Sequence, residues 1–193
     1  TTGYQNISIG YNNLTNIAAG NQNIVIGSSN AYTMTAGSSN IVIGLQALAF
    51  GSNNSTNIAI GQYALYNGGG SSVAIGYAAL QKNTQLYNVA IGHFANSQQT
   101  SNGGNNTFIG AYAGAYTKVN GTNNTFIGYG SGGTGVVTLN TSGNIFIGGV
   151  TASDLGNAIV MGDGNGNERF RILSTGNMVL GATADNGSRL QVI

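Results

Sequence analysis

The chain has no cysteine, no proline and no tryptophan, and charged side chains make up only 5% of its 193 residues. Without cysteine there is no disulfide framework and no thiolate chemistry, and the redox compartment stays open. Without proline, nearly every residue keeps an N–H that can join a hydrogen-bonded ladder. The shortage of charge excludes more. Residues 1–153 carry Lys82 and Lys118 as their only formal charges, so the paired carboxylates of glycosidase or lyase chemistry are missing there. A net charge of +1 gives no basic patch for phosphates. His93, the single histidine, has no acid or serine spaced around it as a triad. No stretch approaches the ~18 apolar residues of a membrane span, and no basic start leads into an apolar run. The expectation is a protein that is not an enzyme and uses no cofactor, nucleic acid or membrane insertion.

What is present is a repeat. Hydrophobic residues are 41% of the chain and glycine numbers 33, and the apolar residues arrive in register. The phrase Asn57-Ile58-Ala59-Ile60-Gly61, an asparagine, three apolar residues and a glycine, returns along most of the length. Its glycines, Gly10, Gly27, Gly44, Gly61, Gly76, Gly92, Gly110, Gly128 and Gly148, are separated by 17, 17, 17, 15, 16, 18, 18 and 20 residues. That period is too short for a helical hairpin and matches one turn of a β-solenoid. Thr1 stands inside the pattern, so the chain reads as a piece of a longer one.

Each phrase is a strand that is apolar on both faces. Its outer pair, as in Ile41/Ile43, Ile58/Ile60 and Val73/Ile75, is β-branched and suits the inside of a coil. The middle residue then needs a second surface, because strands apolar on both sides are buried on both sides. The expectation is that the middle series, Ala59, Ala74, Ala90, Phe108, Phe126 and Phe146, faces the axis of a homotrimer. The leading asparagines, Asn40, Asn57, Asn88, Asn106, Asn124 and Asn144, suit a turn cap that stacks as an amide ladder. After each glycine comes a second motif, Leu45-Gln46-Ala47-Leu48 or Gln62-Tyr63-Ala64-Leu65, read as the other side of the coil.

The division is a repeat shaft at 1–153 and a small β module at 154–193. All four acids, Asp154, Asp163, Glu168 and Asp185, lie in the second part with Arg169, Arg171 and Arg189. Residues 157–162 and 168–173 read as strands about a polar turn, and 189–193 as a final strand. Asp163-Gly164-Asn165-Gly166-Asn167 has oxygen ligands at alternate positions like the opening of a calcium loop. It lacks the glycine and the acid that complete one, so a hairpin turn is favoured, with Asp163, Asn165 and Asn167 a weak metal candidate.

Asn106-Thr107-Phe108-Ile109-Gly110-Ala111-Tyr112-Ala113-Gly114 and Ser72-Val73-Ala74-Ile75-Gly76-Tyr77-Ala78-Ala79-Leu80 resemble the β-roll repeats of YadA-like trimeric adhesin heads and of phage tail-fibre shafts. The run from Arg169-Phe170-Arg171-Ile172 to Ser188-Arg189-Leu190-Gln191-Val192 is similar to the lead-in before the chaperone-of-endosialidase domain of tail fibres. The resemblance implies a parallel homotrimeric fibre, extracellular, on a virion tail or a cell-surface appendage, assembled with a C-terminal intramolecular chaperone. The period here is longer than that of the adhesin heads.

Aromatic side chains recur just after the glycine: Tyr63, Tyr77, His93, Phe94, Tyr112 and Tyr129. A strip of rings beside Asn and Gln suits a host glycan receptor, and packing between chains would use it equally. The leading expectation is a structural fibre segment that supports or carries glycan attachment. The alternative is the head of a bacterial trimeric adhesin. An ice-binding solenoid is less favoured, since no Thr-x-Thr ladder repeats.

Overall fold

The computed structural model describes residues 3–98, 103–133, 137–150 and 156–180. Among them the chain is all β, without a helix, and forms a β-solenoid of coils about 17 residues long. Its strands are β1 (Ile7–Tyr11), β2 (Ile24–Ser28), β3 (Ile41–Leu45), β4 (Ile58–Ile60), β5 (Val73–Ile75), β6 (Val89–Ile91), β7 (Thr107–Ile109), β8 (Thr117–Val119), β9 (Thr125–Ile127), β10 (Val137–Leu139), β11 (Ile145–Ile147), β12 (Ile159–Gly162), β13 (Glu168–Ile172) and β14 (Met178–Leu180).

Every Asn-apolar-Gly phrase supplies one strand, and like pairs with like. Ile41 lies beside Ile58, Val42 beside Ala59 and Ile43 beside Ile60, all parallel. The 12-stranded sheet runs β1 to β7, then β9, β11 and β12, and ends in β13 and β14. The glycine closing each strand is needed where coils approach: at Gly61 φ is +128°, and a Cβ would stand 2.5 Å from the Gly76 carbonyl oxygen. The leading asparagines do stack. Asn40 donates its backbone N–H and its amide to Asn23 Oδ1 at 3.0 and 2.9 Å, and its own Oδ1 accepts the same pair from Asn57. Ser72 takes one rung, accepting from Asn88 N–H, and the file continues to Asn144. A shorter second file, Asn13 over Asn30, caps the other turn and ends where Ala47 takes that slot.

The other side of the coil is not a strand. Gln46 and Leu48 have φ of 55° and 50° with Ala47 between them, and the same alternation returns at Tyr63/Leu65 and Ala78/Leu80. Successive N–H groups are thereby sent to opposite neighbours: Gln46 donates back to Ser28, Leu48 forward to Ala64. This explains how an Ala- and Leu-rich segment stays non-helical, its donors being taken by adjacent coils. β8 and β10 form a separate two-stranded parallel sheet, not foreseen from the sequence, and bury Val119 and Leu139.

The assignment of inside and outside is the reverse of the expectation. Ala59, Ala74, Ala90, Phe108, Phe126 and Phe146 are fully buried within the single chain, in one core with Leu48, Leu65, Leu80 and Ala64. They therefore do not face a symmetry axis. The outer pairs point away from the coil and are half-buried or exposed, up to 51% and 58% for Ile7 and Ile9. The physical reason is that the turn segment already offers the coil interior small residues and leucines. Single middle side chains fit against these, and paired isoleucines would overfill the space.

The C-terminal module is continuous with the stack. β12 pairs with β11 in parallel, and the chain then reverses twice through β13 and β14. The strand expected at 189–193 lies outside the described residues.

Candidate functional site

The two positions after a strand's glycine carry rings in successive coils. Tyr63, Phe94 and Tyr112 occupy the second position after the glycine at φ of 58°, 55° and 59°. Tyr77, His93 and Tyr129 occupy the first. The structure brings all six expected residues into one file. Tyr63 meets Tyr77 at 6.1 Å between centroids, Tyr77 stacks on His93 at 5.2 Å, and His93 meets Tyr112 at 5.5 Å. Phe94 closes on Tyr77, His93 and Tyr112, and Tyr112 meets Tyr129 at 5.9 Å.

Three rings of the file were not singled out from the sequence. Phe50 packs on Tyr66 at 4.9 Å, Tyr66 on Tyr63, and Tyr116 lies parallel to Tyr112. They stand five or six residues after their glycines, at the far end of the turn segment. Counting aromatics over that whole segment, rather than beside the glycine alone, would have found them. Centroid spacings near 5–6 Å follow from the ~4.8 Å between coils, so rings in adjacent coils must touch. Edge-on contacts dominate, as ring quadrupoles favour. His93 sits among three rings with no carboxylate beside it, a place that suits packing rather than proton transfer.

Charge around this file is sparse. Lys82 donates to Gln98 Oε1 at 2.6 Å, and Lys118 stands exposed on β8. The formal charges of the hairpin between β12 and β13 are spent on each other. Asp163 Oδ1 accepts from Asn165 N–H at 2.9 Å and Asn167 N–H at 3.3 Å, while Oδ2 accepts from the Asn167 amide and from Arg169. The Asn167 amide, the Asn165 N–H and the Arg169 guanidinium together hold the Asp163 carboxyl well below the usual carboxylate range. These contacts argue against Asp163, Asn165 and Asn167 as a metal candidate. Both carboxylate oxygens already serve N–H donors, and a cation would be placed against a guanidinium. Glu168 and Arg171 pair alongside on β13.

A second apolar feature lies elsewhere. Nine strands, β1 to β7 with β9 and β11, each turn two β-branched side chains outward, giving two unbroken rows on the sheet's outer face. Thr107 and Thr125 are the only polar members. No helix among the described residues is long and apolar enough to cross a membrane. Comparison of the chain with family models, with curated proteins and with solved structures finds no match in any of the three.

Proposed function

We propose that this chain is the shaft segment of an extracellular fibre, a phage tail fibre or a similar appendage, in which three parallel copies meet through the outer face of the long sheet and the fibre supports or carries attachment to a glycan. The observation that carries the reading is the double row of isoleucine and valine left uncovered by the chain's own fold. Contiguous exposed apolar surface of this extent marks an interaction site. With Thr107 and Thr125 the two rows hold eighteen side chains, two from each of nine strands, approaching the ~20–30 residues per side of a standard protein interface. A face this regular and this uncharged is best matched by another copy of itself, rung against rung. The near absence of charge removes long-range steering, which suits chains joined during folding rather than partners that meet by diffusion.

Sedimentation velocity tests the reading. The chain is expected to sediment as a trimer, and the double variant Ile60→Lys with Ile75→Lys as a monomer with an unchanged far-ultraviolet spectrum. A chain that is folded and monomeric at micromolar concentration would sink the proposal.

A further inference from the structure

We infer that the aromatic file ends in a built carbohydrate cleft, with two adjoining subsites divided by Tyr129, that takes two neighbouring neutral pyranose rings. The inference deepens the attachment half of the reading above and does not depend on the trimer.

On one side of Tyr129 lies a cavity of about 260 Å³ lined by Tyr112, Tyr116, Tyr129 and Gly130. Tyr112 and Tyr116 are parallel within 5° at 6.4 Å between centroids, and Tyr129 stands edge-on to Tyr112 and is 69% exposed. Along the rest of the file, rings present their faces and edges to one another. Here Tyr129 is largely open to solvent.

On the other side is a second cavity of about 250 Å³, sharing Tyr129 and Gly130 and floored by Gly133, Gly149, Gly164 and Gly166, with Asn165 at its margin. A Cβ at Gly130, Gly164 or Gly166 would meet nothing within 4 Å, so the backbone at these positions is open. The bare floor leaves backbone within reach of a ligand.

The chemistry of the lining selects the ligand. A pyranose has apolar C–H faces and a rim of hydroxyls. The tyrosine faces take the first, and the tyrosine hydroxyls and exposed backbone take the second. The Asn165 carboxamide makes no hydrogen bond within the described chain, its backbone N–H alone being used by Asp163, so it brings a free donor and a free acceptor. Among the described residues, no charged side chain lines either cavity. Asp163 and Arg169, in the hairpin that carries Asn165, neutralise each other at 2.5 Å. An anionic sugar would find no counter-charge among these residues, which favours neutral glycans. Because the second cavity is built from the shaft on one side and the hairpin on the other, the cleft belongs to this end of the stack and does not repeat along it.

The test is saturation-transfer NMR on the intact chain with a panel of neutral disaccharides (maltose, lactose and cellobiose) and with sialyllactose as the charged comparison, at low and high salt. Transfer to a neutral disaccharide is expected, insensitive to salt. Tyr129→Ala should weaken it about tenfold, Asn165→Ala by several-fold and mainly at the second ring, and Tyr11→Ala, an exposed ring on β1, not at all. Three results would overturn the inference: no transfer to any neutral disaccharide from a chain with the folded spectrum, equal transfer after Tyr129→Ala, or preference for sialyllactose. Sedimentation is read on the same samples. A trimer without sugar binding removes the cleft and leaves the shaft, and a monomer that binds sugar does the reverse.

Discussion

Replacing Phe126 by alanine tests which face of the strands is the inside. Phe126 is fully buried between Phe108 and Phe146, with centroids at 4.9 and 5.0 Å and ring planes within 11° and 19°. Truncating such a ring costs about 3–5 kcal/mol, the upper end applying where the surroundings cannot close. They cannot close here. β9 is held between β7 and β11 by parallel ladders on both edges, so the coils keep their spacing whatever fills them. In a solenoid each coil is coupled chiefly to its neighbours, so the loss should be local rather than spread over the chain. The assay is native-state hydrogen exchange followed by peptide. Protection in 105–130 should fall by two to nearly four orders of magnitude, from about 1.4 kcal/mol per tenfold, while 20–45 keeps its own. Ile127→Ala, on the outward face of the same strand, serves as the control and should cost the isolated chain far less. If Phe126→Ala left protection in 105–130 within a factor of five of the parent, the ring would not be internal. If the effect vanished on dilution to monomer, the ring would face a partner after all.

Three further outcomes follow from particular residues. Thr56 is exposed and β-branched at φ of 60°, so Thr56→Gly should stabilise the chain by about 0.5–1 kcal/mol in a denaturant melt, the relief of left-handed strain exceeding glycine's entropy in the unfolded chain. The Asp163 carboxyl has its folded pKa lowered, so its contribution is complete above the unfolded value near 3.9 and is lost as pH falls further toward the folded one. The amide shifts of Asn165 and Asn167 should hold steady from pH 7 to about pH 4 and move below it, and Asp163→Asn should abolish that transition. Asn40→Ala strands Asn57 N–H and the Asn54 carbonyl, both Asn40 partners, and should cost at least about 2 kcal/mol. Asn40→Ser, imitating Ser72, should cost less, and equal costs would show that the amide file is not the cap.

The repeat, its period and its strands were legible because the anchor is steric: a glycine that must lie under a neighbour's carbonyl cannot drift, and Gly61 over Gly76 sets the register for both coils. The asparagine file was legible for the same reason, since a polar group at the edge of an apolar strand needs a partner in the next coil. The aromatic file was half legible. Tyr77 and Tyr129 stood beside the anchor, whereas Phe50, Tyr66 and Tyr116 stand five or six residues past it, at the far end of the turn segment. What was not legible was handedness of backbone. Gln46, Leu48 and Phe94 at positive φ break the usual association of that region with glycine and asparagine. They are held there because their N–H groups meet carbonyls of adjacent coils, a tertiary cause that local propensity does not contain. The two-stranded sheet of β8 and β10 was hidden similarly, in segments that break the period.

Inside and outside could nonetheless have been told apart from volume. The middle residue of each strand and the fourth residue after its glycine trade size along the chain: Ala59 with Leu65, Ala74 with Leu80, then Phe108 with Gly114 and Phe126 with Gly132. Two positions that compensate in this way fill one space, and the outer pairs show no such trade. The structure gives the contact directly, since a Cβ on Gly114 would stand 2.4 Å from the Phe108 ring. This predicts a coupled pair. Gly114→Leu alone overpacks the coil and should cost about 1–3 kcal/mol, and Phe108→Ala alone about 3–5 kcal/mol. Together they rebuild the Ala74 and Leu80 arrangement, and Gly114 already has φ of 63° against 51° at Leu80. The double variant should therefore be more stable than the sum of the singles by at least about 1.5 kcal/mol, within the range found for residues in contact. Denaturant melts of the four members of the cycle measure this. Simple additivity would mean that Phe108 and Gly114 do not share a cavity, and the interior described for these coils would have to be redrawn.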